Sequence, residues 1–416
     1  MFVLRIKPYY WIIGILLGFI FSCSGKTRLT HHAKSLVIDW DAVNIKDSFL
    51  YSTVFDSVQV IMLNNDSVLL GGIDRMQSYE DEMFVLDSQK AKGLFVFGKD
   101  GRFIRRIGNI GDAPGEYRDC SDFTINEHSE EAYIYDSHKK SIYVYSVKSG
   151  IYKRCIKIKE GNQIQRIYCV NNRLYAVNTY FYPLHDKDKY HILKQLNIDN
   201  GAVMAQWMDA EEYNKGWKDE FLHTNLFYPI SGDRVLFSFG LSDSVMCLSQ
   251  GKLYPFLGFY GKNTVKNADI KEQEKDAYVN PQMRADMKID IHMRLGKQNK
   301  IIAIADIFEK DDILYLDCYS WQKKKLQCNL KTHEAYLFTN TVDDILYSIC
   351  PKNHTLPSFL SSGENGVYYM VATDFLPELK YFASENNTIS QKVKNRKVLK
   401  EINEESNPVI LYYEYK

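Results

Sequence analysis

The sequence predicts an all-β fold, a six-bladed β-propeller of four-stranded antiparallel blades closed by pairing of its N- and C-terminal strands. Three observations predict it. Two stretches repeat at an offset of 49 residues (136 minus 87), each reading strand, turn, strand, Gly-containing hairpin, strand. Apolar residues alternate at period two through most of the remaining chain, as half-buried antiparallel strands require. The aromatic set is 30 Tyr and 22 Phe against 5 Trp, and these residues favour strands.

The first copy is Phe84-Val-Leu-Asp87, Leu94-Phe-Val-Phe97 and Lys99-Asp-Gly-Arg-Phe-Ile104. The second is Tyr133-Ile-Tyr-Asp136, Ile142-Tyr-Val-Tyr145 and Lys148-Ser-Gly-Ile-Tyr152. A period of 40–50 residues made only of strands points to a propeller rather than a helical solenoid. Weaker copies begin at Leu174, Arg234, Ile313 and Gly366. Six units from about residue 56 onward have roughly 60 residues each, enough for four strands and their loops. The closing pair is Val58-Gln-Val-Ile-Met-Leu63 with Val409-Ile-Leu-Tyr-Tyr-Glu-Tyr415. Joining them in one blade removes the open sheet edge.

Two stretches break the strand text. Residues 262–300 are highly charged and read as a partly helical excursion between blades. Residues 389–404 show helical spacing at Val393, Val398 and Ile402.

Residues 1–22 read as a signal peptide. Arg5 and Lys7 form a positive start, and an apolar run follows from Tyr9 to Phe21. That run is about 13 residues, short of the ~20 a spanning helix needs. Ser22 directly before Cys23 fits a bacterial lipobox, which makes Cys23 the lipid-modified first residue of the mature chain. Several acyl chains anchor stably where one does not. Residues 23–35 form a lipidated tether, and 36–416 the propeller. Lys+Arg and Asp+Glu are both 52, so no basic excess exists to hold nucleic acid. The other Cys residues lack zinc spacing. Cys318 and Cys328 flank a predicted hairpin, and their disulfide state is left open.

The residues carry a family pattern. It includes Gly98-Lys-Asp-Gly-Arg-Phe-Ile-Arg-Arg-Ile-Gly108, then Gly108-Asn-Ile-Gly-Asp-Ala-Pro-Gly-Glu-Tyr117, Asp243-Ser-Val, and the ending Glu405-Ser-Asn-Pro-Val-Ile-Leu411. The chain resembles the six-bladed propeller lipoproteins abundant in Bacteroidetes, relatives of NHL-repeat propellers. The resemblance implies fold and envelope location and little chemistry.

In a four-stranded blade, the loop after strand two and the loop between blades share a face. Asp87 and Asp136 therefore share a face with the linker that carries Glu116. The same face receives Tyr180, Tyr182 and His185, and also Tyr319 and Trp321. Aromatics beside Asp, Asn and His suit sugar stacking or peptide contacts. The structural reading of Asp87, Asp136 and Glu116 is turn architecture. Asp311-Asp312 and Asp343-Asp344 also read as turn acids. No GxSxG, HExxH, P-loop or GxGxxG motif is present.

The sequence thus predicts a non-catalytic, monomeric, envelope-tethered protein that binds a glycan, peptide or protein partner. Its membrane attachment rests on Cys23, with a periplasm-facing anchor favoured over the cell surface. No cofactor is called for. The enzyme alternative is a metal-dependent lactonase- or lyase-like hydrolase holding calcium or zinc at the central channel, its metal ligands unknown. The other alternative is a structural subunit of an envelope complex.

Overall fold

The repeated strand text folds into six sheets. The computed structural model describes residues 36–416, apart from 159–163, 179–190, 210–224, 267, 270–292, 350–356, 385–387 and 404. Blade I comprises Arg75–Tyr79, Glu82–Asp87, Gly93–Gly98 and Phe103–Ile107. Blade II comprises Asp122–Asn126, Glu131–Asp136, Ser141–Ser146 and Tyr152–Lys157. Blade III comprises Ile164–Val170, Arg173–Asn178, His191–Leu196 and Val203–Asp209. Blade IV runs from Phe227–Ile230 to Lys252–Tyr260, and blade V from Ala303–Lys310 to Ala335–Val342. Blade VI is built from Ser358–Gly363, Gly366–Val371, Val409–Tyr415 and Phe55–Met62. Its last two strands are antiparallel, with Val409 against Met62 and Tyr413 against Val58. The expected partners at the two ends of the chain do meet.

The hairpin glycines explain why the repeat keeps its spacing. Gly101, Gly150 and Gly201 all sit at positive φ, the region open to glycine. A Cβ on any of them would also run into a main-chain carbonyl of the preceding blade's last strand: Met62, Arg106 and Lys157 respectively. Each hairpin thus abuts its neighbour's backbone, and the glycine is required twice over.

The aromatic excess has a location. Phe49, Tyr51, Phe55, Tyr369 and Tyr413 form a chain of ring contacts at 5.2–6.2 Å between blades V and VI. Edge and tilted packing of this kind adds to the stabilisation from buried area.

Blades IV, V and VI have five strands rather than the expected four. Leu36–Asp39 lies parallel to the outer strand of blade IV, and Asn44–Leu50 parallel to that of blade V. Val393–Lys394 lies parallel to Phe55–Met62. The N-terminal segment therefore stitches two blades before entering a third.

Residues 389–404 do not form the expected helix. Asn395 takes a left-handed conformation that breaks it. Its side chain instead accepts from the Val60 N–H at 3.1 Å and donates to the Val60 carbonyl, so it substitutes for a neighbouring strand. A short 3-10 turn, Arg396–Lys400, follows, and Val393, Leu399 and Ile402 are buried. The helix of this insertion lies upstream, at Leu376–Ser384, with Pro377 in its first turn, where the missing N–H costs nothing. In the charged excursion, residues 293–297 are helical, and 270–292 lie outside the described residues.

Cys318 and Cys328 are buried free thiols. Cys318 faces Lys324 and Cys328 faces Leu314, so the register does not set them opposite each other. Asn407, inside the terminal motif, is buried. It accepts from Leu70 N–H at 2.7 Å and donates to the Asn64 and Val68 carbonyls at 3.1 and 3.0 Å. That motif ties residues 63–70 to the closing blade. Among the described residues, no helix is long and apolar enough to cross a membrane.

Candidate ligand site in the central channel

The first strand of each blade faces the ring axis. Side chains of one first strand bond the backbone of the next: Gln77 accepts from Ile125 N–H at 2.9 Å, Asp122 from Ile167 N–H at 2.6 Å, and Thr124 from Cys169 N–H at 2.9 Å. Arg75 joins three blades. Its Nη1 lies 2.5 Å from Asp122 Oδ1 and donates to the carbonyls of Phe123 and Ile167 at 3.1 and 3.3 Å. Both charged groups are buried. The innermost strands thus carry buried polar and charged groups. The polar atoms lace blades I, II and III together.

Beside this lacing the channel opens into a cavity of about 960 Å³ lined by all six blades. Its walls include Tyr79, Tyr168, Phe227, Phe359, Tyr368 and Tyr412. Tyr368 stacks on Tyr412 at 4.4 Å, and Tyr168 on Phe227 at 4.7 Å. The rim carries Glu80, Glu127, Asp311, Asp312 and Glu364, from turns joining first to second strands. Strand alternation puts this mouth on the face opposite Asp87 and Asp136. Two wall hydroxyls, Ser361 Oγ and Tyr415 Oη, are buried without a hydrogen-bond partner among the described residues.

A second polar group lies in blade V. Asp306 sits at a bulge in the first strand with φ +50. It accepts from the Tyr319 hydroxyl at 2.6 Å, and its own N–H donates to the Tyr228 hydroxyl at 3.2 Å. Burial, then the Asp317 carboxylate, pushes the Asp306 carboxyl up to about 6. Burial acts the same way on Asp317, but the ammonium groups of Lys325 and Lys323 overcome it and hold that carboxyl below its usual range. Asp317 Oδ2 lies 2.9 Å from Lys323 Nζ, and Lys325 pairs with Oδ1.

The native state therefore keeps a proton on Asp306 that the unfolded chain gives up near pH 4. Asp306 weakens the fold progressively as pH rises from about 4 to about 6, and the penalty persists above that range. Asp306→Asn is expected to raise stability by about 1–2 kcal/mol at pH 7.5, with the gain closing toward pH 4. Chemical denaturation at both pH values checks this. A gain equal at both would show that Asp306 is not the titrating group.

The predicted site residues divide. Asp87 is fully buried, and its carboxylate accepts main-chain N–H groups of Gly71, Gln89, Lys90 and Ala91 at 2.6–3.2 Å. Asp136, also fully buried, accepts from Arg118 and Lys139 N–H at 2.7 and 2.8 Å. Glu116 accepts from Ala113 N–H at 3.0 Å. These three carboxylates brace turns and a linker. Tyr319 meets Asp306. Trp321 is 55% exposed, with Lys297 Nζ 5.1 Å from its ring centroid. Cys23, Tyr180, Tyr182 and His185 lie outside the described residues. Among the described residues, no group of three or more His, Cys, Asp or Glu is placed to hold a metal ion.

The family model for DUF4934, a domain of unknown function, matches residues 35–414. The chain belongs to the DUF4934 family. No curated protein matches it. This DUF4934 chain is similar in structure to a crystallised Bacteroides fragilis NCTC 9343 protein assigned as exported, at TM-score 0.69 and 15% identity. That match covers 91% of this chain and 99% of the other. A DUF4221 family member from Bacteroides vulgatus matches at TM-score 0.47 and 10% identity, covering 87% of this chain and 97% of its own. At 15% identity the first of these likenesses speaks to the fold alone.

Sequence reasoning missed Arg75, Asp306 and the cavity tyrosines of this DUF4934 chain. The signal lay in first-strand text such as Arg75-Met-Gln-Ser-Tyr79, where polar residues sit at positions that face the axis.

Proposed function

We propose that the protein is a non-catalytic cell-envelope lipoprotein, anchored through Cys23, whose central-channel cavity binds a glycan or peptide ligand. The observation that carries this reading is the cavity itself: about 960 Å³ of concave space with stacked tyrosines on its wall and carboxylates at its rim. Concave, aromatic-lined sites with a few convergent polar groups are where ligands are held. The envelope placement draws on the apolar run ending at Ser22-Cys23, and on the similar Bacteroides fragilis protein assigned as exported. A periplasm-facing anchor remains our preference.

Glycan and peptide panels on lipid-free residues 24–416 test this. Tyr412→Ala, which removes one face of the stacked pair at the wall, is expected to lower affinity for any ligand found about tenfold or more, or about 1.4 kcal/mol. Unchanged affinity would remove the cavity from the proposal.

A further inference from the structure

We infer that the channel cavity takes a ligand bearing alkylammonium groups, the chemistry of a lysine-bearing peptide or a polyamine. This rests on the binding reading above and sharpens it. The charges around the cavity do not balance. Arg75 is committed to Asp122, Lys99 pairs with Asp81 at 2.8 Å, and Lys310 pairs with Asp311 at 3.2 Å. Asp312 is held by Lys331 at 2.5 Å, and Glu309 accepts from the Ser231 hydroxyl at 2.9 Å. Glu80, Glu127 and Glu364 remain. They come from blades I, II and VI, three neighbours round the ring, and no described cation lies within ion-pair distance of them.

The wall itself displays the mode of binding. Lys310 Nζ lies 5.6 Å from the centroid of the Tyr415 ring while pairing with Asp311. An ammonium between an aromatic face and a carboxylate gains from both, and desolvation in a cleft strengthens each term. Tyr79, Tyr368 and Tyr412 offer further ring faces near the unpaired carboxylates. A neutral ligand would gain nothing from the three carboxylates, and an anionic one would be repelled.

Calorimetric titration of residues 24–416 with pentalysine and with spermidine, beside pentaglycine and pentaglutamate, tests the inference. Both cations are expected to bind more tightly than the two controls, and to bind more weakly as salt is raised. The variant Glu80→Gln/Glu127→Gln/Glu364→Gln is expected to weaken that binding about tenfold. All three carboxylates are on exposed turns, so the variant should fold, and circular dichroism checks that it does. Tighter binding of pentalysine assigns a peptide as the source, and tighter binding of spermidine assigns a polyamine. Cations no tighter than pentaglycine, or a variant that binds them unchanged, overturn the inference. A neutral oligosaccharide whose binding is lost in Tyr412→Ala, with both cations inert, overturns it as well, and leaves the cavity reading standing.

Discussion

Deleting Val409–Lys416 is expected to abolish cooperative folding. The strand Val409–Tyr415 lies between Gly366–Val371 and Phe55–Met62, and it is what ties the N-terminal strand to the rest of blade VI. Val409, Ile410, Leu411 and Tyr413 are fully buried within it. Burial at about 1.5–3 kcal/mol for each large apolar side chain puts the loss near the whole stability of a typical domain, about 5–15 kcal/mol. Tyr413 also donates to Asp343, just past the last strand of blade V, so a buried carboxylate that also accepts from the Ile345 and Leu346 N–H groups would lose its hydroxyl donor. Both flanking strands would become bare edges, open to aggregation. Differential scanning calorimetry of the truncated chain should show no sharp transition. A cooperative melt close to that of the full chain would mean that the ring does not depend on this closure.

Arg75→Met is the second large effect, expected to destabilise the fold by about 3–5 kcal/mol. The substitution keeps much of the side-chain volume and removes the charge. Asp122 is then left buried, with the Ile167 N–H at 2.6 Å as its remaining donor among the bonds that join these strands. The double variant Arg75→Met/Asp122→Asn removes the stranded charge and keeps an acceptor for that N–H. It is expected to recover a substantial part of the loss, and the coupling is read from a double-mutant cycle. A single-variant loss within about 1 kcal/mol would place this pair with exposed ion pairs, whose worth is small. The position matters because the guanidinium spans three first strands. Its loss would loosen blades I–III where they meet the cavity.

The ring was legible because its signals are local. Asp87 and Gly101 recur as Asp136 and Gly150, and the structure gives both pairs the same work: the acids cap turns, and the glycines clear the preceding blade. A residue repeated in each copy serves the copy. That is why these acids drew attention in the sequence and why the structure finds their oxygens occupied. The parallel edge strand Asn44–Leu50 was not legible. Apart from Phe49 its residues are exposed, and its partner lies roughly 290 residues downstream, so no local alternation records the pairing.

The channel was hidden for a similar reason. Arg75 and Asp122 are 47 residues apart, and Asp306 gains its partners from Tyr319 and from another blade. Chemistry made between blades leaves only scattered polar residues in strand text. Asn395 shows the opposite error. Helical spacing at Val393, Val398 and Ile402 was real and marks two buried positions and one half-buried one, but a left-handed asparagine turned the segment into a strand pair and a 3-10 turn.

The central claim is that the channel cavity, rather than the opposite face, holds the ligand. A crystal structure of residues 24–416 with the tightest ligand from the glycan and peptide panels tests it most directly. The account predicts the ligand inside the channel, against Tyr368 and Tyr412. A ligand seated on the face that carries Asp87 and Trp321, with the channel empty, would contradict it.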